Sequence, residues 1–164
     1  MKRAWIALGS NMGDRSANMR TAIEALGDMV EARSGVFETA PVGPQPQEAF
    51  LNAVVRVRTD ATPEGLLKTC LDIETSMGRV RSDESRWGPR VIDLDVLMVE
   101  HERLVTDHLT LPHPRMHERA FVLVPMVEID ADLVHPALGR TMAQLLDAEI
   151  ATRGPLAGRC DRHA

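Results

Sequence analysis

Between Val91 and Val99 the apolar residues Ile92, Leu94, Val96 and Met98 fall at alternate positions, the pattern of a strand with one buried face. Asp93 and Asp95 then share its other face. At about 3.3 Å rise per residue their alpha carbons lie roughly 6 to 7 Å apart, close enough for two carboxylates to converge on one divalent cation or to bridge two. Asp is a poor strand former, so a pair of them inside an apolar run needs a compensating partner. The preceding segment supplies one. Arg79, Arg81, Arg86 and Arg90 crowd together against only Asp83 and Glu84, around the turn-forming Gly88-Pro89. Guanidinium groups suit bidentate binding of phosphate oxygens, so turn and strand together read as hardware for a metal-bound polyphosphate. Trp87, flanked by Arg86 and Gly88 in that loop, reads as a ring that packs on a planar ligand or closes over one.

The rest of the chain places this strand in a sheet. Residues 3 to 8 read as a buried strand closed by Gly9-Ser10-Asn11-Met12-Gly13; Asp14 or Ser16 then caps a helix carrying Met19, Ile23 and Leu26 and ending at Gly27. Residues 29 to 40 look extended, residues 41 to 46 form a proline-rich loop, and residues 51 to 58 alternate as a half-buried strand does. Thr62 and Pro63 open a second helix that runs to about Met77, with Leu66, Leu67, Cys70, Ile73 and Met77 as its buried stripe. The order is βαββαβ, which predicts an α+β ferredoxin-like fold: an antiparallel sheet with its two helices on one face. A C-terminal helical extension follows, with helices expected from about Arg115 to Glu128 and from Thr141 to Ile150. One domain spans 1–150, and the tail 151–164 is expected to be disordered.

At 164 residues the chain can build a full core without staples. Cys70 and Cys160 form no ligand or redox spacing, so free thiols and a cytoplasmic location are expected. The basic start before a short apolar run stops at Gly9, too early for a leader or a membrane span. A net charge of −5 opposes a general nucleic-acid surface. A monomer with a single function and neither nucleic acid nor membrane as partner is expected.

Two further clusters have competing readings. The glycine-rich turn Gly9 to Gly13 could cradle phosphate on backbone amides, but it lacks the Lys-Ser/Thr of a Walker loop, and a tight turn is the better reading. His113 and His117 have the spacing of a helical zinc pair, yet Pro114 pushes His113 out of the helix and no third ligand follows; a phosphate-facing role for His113 is preferred, a plain helix-capping histidine comes next and zinc last. For Glu74 an exposed helix carboxylate is the default, and for Phe50 and Phe121 a place in the core.

The chain resembles the 6-hydroxymethyl-7,8-dihydropterin pyrophosphokinase family. The likeness runs through Ala7-Leu8-Gly9-Ser10-Asn11, residues 39 to 44, Phe50-Leu51-Asn52, Glu74, Gly78-Arg79-Val80-Arg81, the signature from Arg86 to Asp95, Leu111 to Arg119, Phe121-Val122-Leu123, Glu128-Ile129 and His135-Pro136. It implies a ferredoxin-like enzyme of folate biosynthesis that moves the terminal diphosphate of ATP, its co-substrate, onto the hydroxymethyl group of the pterin and releases AMP. It also implies that Asp93 and Asp95 hold two magnesium ions (Mg2+). Arg79, Arg81, Arg90, His113 and Arg119 would then contact phosphates, with Arg81 and Arg90 meeting transition-state charge. Phe50 and Phe121 would sandwich the pterin, Asn52 would bond its edge, and Thr39, Ala40 and Val42 would complete the pocket through their backbone. Leu67, Glu74, Val96 and Thr110 are looser candidates for the ATP side, and Trp87 for closure over both. Ala40 departs from the family's usual residue. The loops 41–49 and 78–90, lacking an apolar anchor stripe, are expected to act as lids.

Overall fold

In the computed structural model, which describes residues 1–40, 47–79, 89–156 and 159–164, the predicted βαββαβ order is present with its second strand split in two. Strand β1 (Lys2–Ser10) lies between β4 (Phe50–Thr59) and β5 (Asp93–Val99), antiparallel to both. The short strands β2 (Val30–Arg33) and β3 (Phe37–Thr39) pair with successive stretches of β4. Ser34 interrupts them because its side chain substitutes for a ladder partner: its N–H donates to the Val54 carbonyl and its Oγ accepts from the Val54 N–H.

Helices α1 (Arg15–Leu26) and α2 (Pro63–Ser76) cover one face of the sheet. Asp14 rather than Ser16 caps α1, accepting from the Ala17 amide, while Thr62 caps α2 ahead of Pro63 as predicted. Met19, Leu26, Leu66, Cys70 and Ile73 bury against Ile6, Leu8, Val55, Leu94 and Val96. The C-terminal extension covers the opposite face. There α3 (Ala120–Asp130) and α4 (Met142–Arg153) pack Leu123, Met126, Met142 and Leu145 on Trp5, Val54, Leu97 and Met98. Asp130 ties the end of α3 to the sheet, accepting from Trp5 Nε1 and Arg56 Nη1, both at 2.7 Å.

Three expectations need correction. Met98 does not share a face with Ile92, Leu94 and Val96: β5 pairs Val96 with Ile6 but Met98 with Trp5, so a bulge at Leu97 turns both Leu97 and Met98 toward α3 and α4. The helix expected from Arg115 is a 3-10 turn, Met116–Glu118, followed by α3, because extended backbone at Arg119 breaks the run. The tail is ordered where it is described. Residues 151–153 complete α4, and β8 (Asp161–Arg162) pairs with β3 as the last strand of the order β5-β1-β4-β3-β8. Two more strands, β6 (Leu104–Val105) and β7 (Thr110–Leu111), form a separate hairpin beside β5. Cys70 and Cys160 are both free and buried. No described helix is long and apolar enough to cross a membrane.

Candidate active site

Register carries the site's chemistry to one end of the sheet. Asp93 pairs with Gly9, Gly9 with Asn52, and Asn52 with Phe37, so these four form a row across four strands. The row beneath is Asp95, Ala7 and Val54, and Phe50 lies two residues beyond Asn52, opposite Thr39. Directly paired residues share a face of a sheet, and Ala7 and Val54 pack with the α3 cluster. Both aspartates therefore face α3, together with Asn52 and Phe50. Gly9 leaves the middle of the row open: a Cβ there would stand 3.6 Å from Asn52 Oδ1 and 3.9 Å from the Phe50 ring.

At the β5 edge the carboxylates are held by cations. Arg90 Nη1 donates to Asp93 Oδ2 at 2.6 Å, and Arg79 Nη1 donates to Asp93 Oδ1. Arg79 Nη1 also donates to Glu74 Oε1 at 2.6 Å and to the Ile92 carbonyl at 3.3 Å. Glu74 is 1% exposed, so it is a buried anchor and not the exposed helix carboxylate taken as its default. Its Oε1 additionally accepts from the Leu94 amide at 2.8 Å, which fastens α2 to the start of β5. Arg79 thus points inward and orients Asp93.

The two aspartates differ electrostatically. Burial works against ionisation of Asp93, but the charges and hydrogen bonds of Arg90 and Arg79 outweigh it and hold the carboxyl below its ordinary range. Asp95 is pushed up to about 6 by burial and then by the negative charge of Asp93, and Arg119 only partly offsets this. Among the described residues Asp95 makes neither a hydrogen bond nor an ion pair. A part-buried carboxylate without a partner beside a second carboxylate suits a divalent cation, as does the hard oxygen chemistry of the pair. No three described His, Cys, Asp or Glu side chains gather around one point. Magnesium commonly takes one or two protein carboxylates and completes its shell with phosphate oxygens and water, so the residues fit that ion.

Arg119 stands at the N-terminus of α3, its guanidinium 5.6 Å from the centroid of the Phe121 ring and attracted by Asp95. His113 is half-buried. Its Nδ1 accepts from the Arg115 amide at 3.2 Å, so the neutral ring carries its hydrogen on Nε2. Burial and then the Arg119 charge lower its pKa to about 4. His117 is not its partner in a zinc pair; it lies edge-on to His135, with ring centroids 6.1 Å apart.

On the aromatic side Asn52 Nδ2 donates to Thr39 Oγ1 at 2.8 Å, which orients the amide. Phe50 and Phe121 are half-buried and so are not the fully buried core rings of their default reading. Ala40 is exposed at the end of β3. Val96 points away from both aspartates, 3% exposed in the α1 and α2 core, with half-buried Leu67 packed against the same core. Thr110 begins β7, beside β5. Val42, Arg81 and Trp87 lie outside the described residues, as does most of both expected lids.

Sequence reasoning missed Asn11. It is 1% exposed, its Oδ1 accepts from the Arg90 amide at 2.6 Å, and its amide N–H donates to the Arg90 carbonyl at 3.0 Å. Its Nδ2 donates to Gln47 Oε1 at 2.9 Å and to the Glu48 carbonyl at 3.4 Å. One side chain thereby bridges the described ends of both loops. The available signal was a polar residue directly after a buried strand, which a turn explains equally well.

An antiparallel α+β sheet that brings two carboxylates, a set of cations and two half-buried phenylalanine rings to the face beneath α3 has the layout of a phosphate-group transferase. The chain belongs to the 7,8-dihydro-6-hydroxymethylpterin-pyrophosphokinase family, whose model matches residues 5–131. It is similar to the 2-amino-4-hydroxy-6-hydroxymethyldihydropteridine pyrophosphokinases of Methylorubrum extorquens and Bacillus subtilis. The first is 51% identical over 138 residues, covering 82% of this chain and 86% of that one. The second is 46% identical over 130 residues, 77% of each. The fold is similar to that of an HPPK-DHPS protein solved with substrates, at a TM-score of 0.70, 13% identity and 92% of this chain. It is also similar to an HPPK-DHPS triple mutant from Plasmodium falciparum, at a TM-score of 0.76, 12% identity and 98% of this chain. The chain spans 44% and 46% of those two longer chains.

Proposed function

We propose that the described site carries out the family's reaction, transfer of a pyrophosphoryl group from ATP to the hydroxymethyl group of dihydropterin in folate synthesis, with release of AMP. The observation that carries this reading is the row Asp93, Gly9, Asn52, Phe37, which sets the polyphosphate side and the heterocycle side a strand or two apart. Asp93 and Asp95 would hold two magnesium ions. When bound, magnesium neutralises phosphate charge and fixes the triphosphate oxygens for in-line displacement. Arg79 and Glu74 keep Asp93 oriented, and each Asp93 oxygen retains a second lone pair for a cation. Arg90, His113 through Nε2–H, Arg119 and Arg81 meet the phosphates, Arg81 and Arg90 taking the charge that develops in the transition state.

Phe50 and Phe121 sandwich the pterin, Asn52 bonds its edge, and the backbone at Thr39, Ala40 and Val42 closes the pocket. Leu67 and Thr110 lie on the ATP side and Trp87 closes over the complex, whereas Val96, buried in the α1 and α2 core, takes no part. A carboxylate committed to a cation is a weak base, so catalysis rests on positioning and charge. The enzyme acts as a cytoplasmic monomer without nucleic-acid or membrane partners, and a single domain carries the catalytic unit.

The test is incubation with ATP, magnesium and 6-hydroxymethyl-7,8-dihydropterin, following AMP by chromatography. Stoichiometric AMP and pterin diphosphate, lost by orders of magnitude in Asp95→Asn with nucleotide affinity reduced far less, supports the reading. Release of ADP, or binding without turnover, refutes it.

A further inference from the structure

Against the Phe121 ring lies a small core of its own. Phe37, Ala120 and Cys160 are buried together and pack with Phe121, Val124 and Leu156. Cys160 and Leu156 come from the C-terminal segment, beyond the residues 5–131 that define the family match. Its described residues are fastened at several points. Arg159 forms a two-pronged ion pair with the buried Glu149 on α4, at 3.0 and 3.1 Å. Arg162 pairs across the ladder with Phe37, its guanidinium lies 5.2 Å from that ring's centroid, and it forms an ion pair with Glu128 on α3. The His163 amide then donates to the Val36 carbonyl at 2.8 Å.

The path is built into the neighbouring sequence. Gly35 has no side chain where Arg162 crosses it, and a Cβ there would collide with the guanidinium. The Gly35 amide instead donates at 2.7 Å to Glu128, the same carboxylate that holds Arg162.

We propose that this C-terminal segment is a wall of the pterin pocket, and that β8 and Cys160 position β3 and Phe121 for the heterocycle. The proposal rests on the assignment of the pterin to Phe50, Asn52 and Phe121. β3 is three residues long, and its outer edge is covered by β8. So short a strand has few hydrogen bonds of its own to hold its place, yet Thr39 at its end orients the Asn52 amide. Cys160 packs in the cluster that includes Phe121. Removing either support lets a ring or an amide drift, and a displacement of an ångström is costly to binding geometry. Asp93 and Asp95 stand at the opposite edge of the sheet, on β5, with β1, β4 and β3 between them and β8, while Arg119 reaches the Phe121 ring from the polyphosphate side. The pterin is therefore expected to be affected far more than the nucleotide.

Arg162→Ala and Cys160→Glu, with Val105→Ser at an exposed position on β6 as the control, test this by direct titration with the dihydropterin and, separately, with magnesium and a nonhydrolysable ATP analogue. The expected result is a pterin Kd weakened about ten-fold in the first two variants, a nucleotide Kd changed far less, and near-wild-type binding of both ligands in Val105→Ser. If Cys160→Glu fails to fold, Arg162→Ala at the surface still decides. Unchanged pterin affinity in folded Arg162→Ala, or an equal loss for both ligands, overturns the proposal. Failure of the wild-type chain to bind pterin at all overturns the functional assignment, and the pocket wall with it; wild-type binding that the variants leave intact overturns the wall alone.

Discussion

Replacement of Glu74 by Ala is expected to be among the most destabilising substitutions on α2, for a reason that is electrostatic as much as steric. The carboxylate is 1% exposed and serves two donors through Oε1, the Leu94 amide at 2.8 Å and Arg79 Nη1 at 2.6 Å. Without it the Leu94 N–H is a buried donor lacking its acceptor, which costs about 1 to 3 kcal/mol. The bond to the guanidinium contributes about 1.5 to 3 kcal/mol more, although Arg79 keeps Asp93 and the Ile92 carbonyl and is not stranded as a lone buried charge. The sum, about 2.5 to 6 kcal/mol, brackets the roughly 3 to 5 kcal/mol that breaking one side of a buried pair costs. For a chain of this size it lowers Tm by roughly 10 °C. Glu74→Gln retains a carbonyl oxygen for Leu94 and loses only the charge, so it is expected to cost about half as much. Urea unfolding followed by circular dichroism measures both. A loss below about 1 kcal/mol for Glu74→Ala, or equal losses for Ala and Gln, would refute the anchoring role. Combining Glu74→Leu with Arg79→Met should cost less than the sum of the single changes, because the two side chains share one interaction.

Gly9→Val should place methyl groups over the floor between Asn52 and Phe50; pterin affinity is expected to drop more than about ten-fold with the fold intact, and unchanged titrations would mean that the ligand lies elsewhere. Asn11→Ala removes the bonds to Gln47, Glu48 and the Arg90 amide, so kcat is expected to fall while Asn11→Asp, which still accepts from Arg90, is intermediate in steady-state assays. His113 takes a proton in the folded state only near pH 4, whereas the unfolded chain takes it near the usual 6.5. Between those values the unfolded state binds more protons, so this residue's contribution lowers stability as pH falls from about 6.5 to 4. His113→Gln should flatten that part of the stability profile relative to wild type, and parallel profiles would show that the ring is not held neutral.

What the sequence determined by itself was whatever depends on neighbours along the chain. Alternation put Asp93 and Asp95 on one face, Thr62-Pro63 marked a helix start, and the βαββαβ order limited the sheet to one topology, because periodicity, capping and connection rules act within a few residues. Tertiary structure alone decided the rest. The bulge that turns Met98 away from Leu94 arises in pairing with β1. Glu74 became an anchor only when α2 was laid against β5, and Asn11 a bridge only when two loops distant in sequence met beside it. The tail, polar and rich in breakers, has the composition of a disordered segment. Its described residues are ordered because β3 offers an open edge, Glu149 and Glu128 offer carboxylates, and Phe37 and Ala120 leave room for Cys160. Those partners stand far away along the chain, and a local pattern carries no information about which distant surface will meet it.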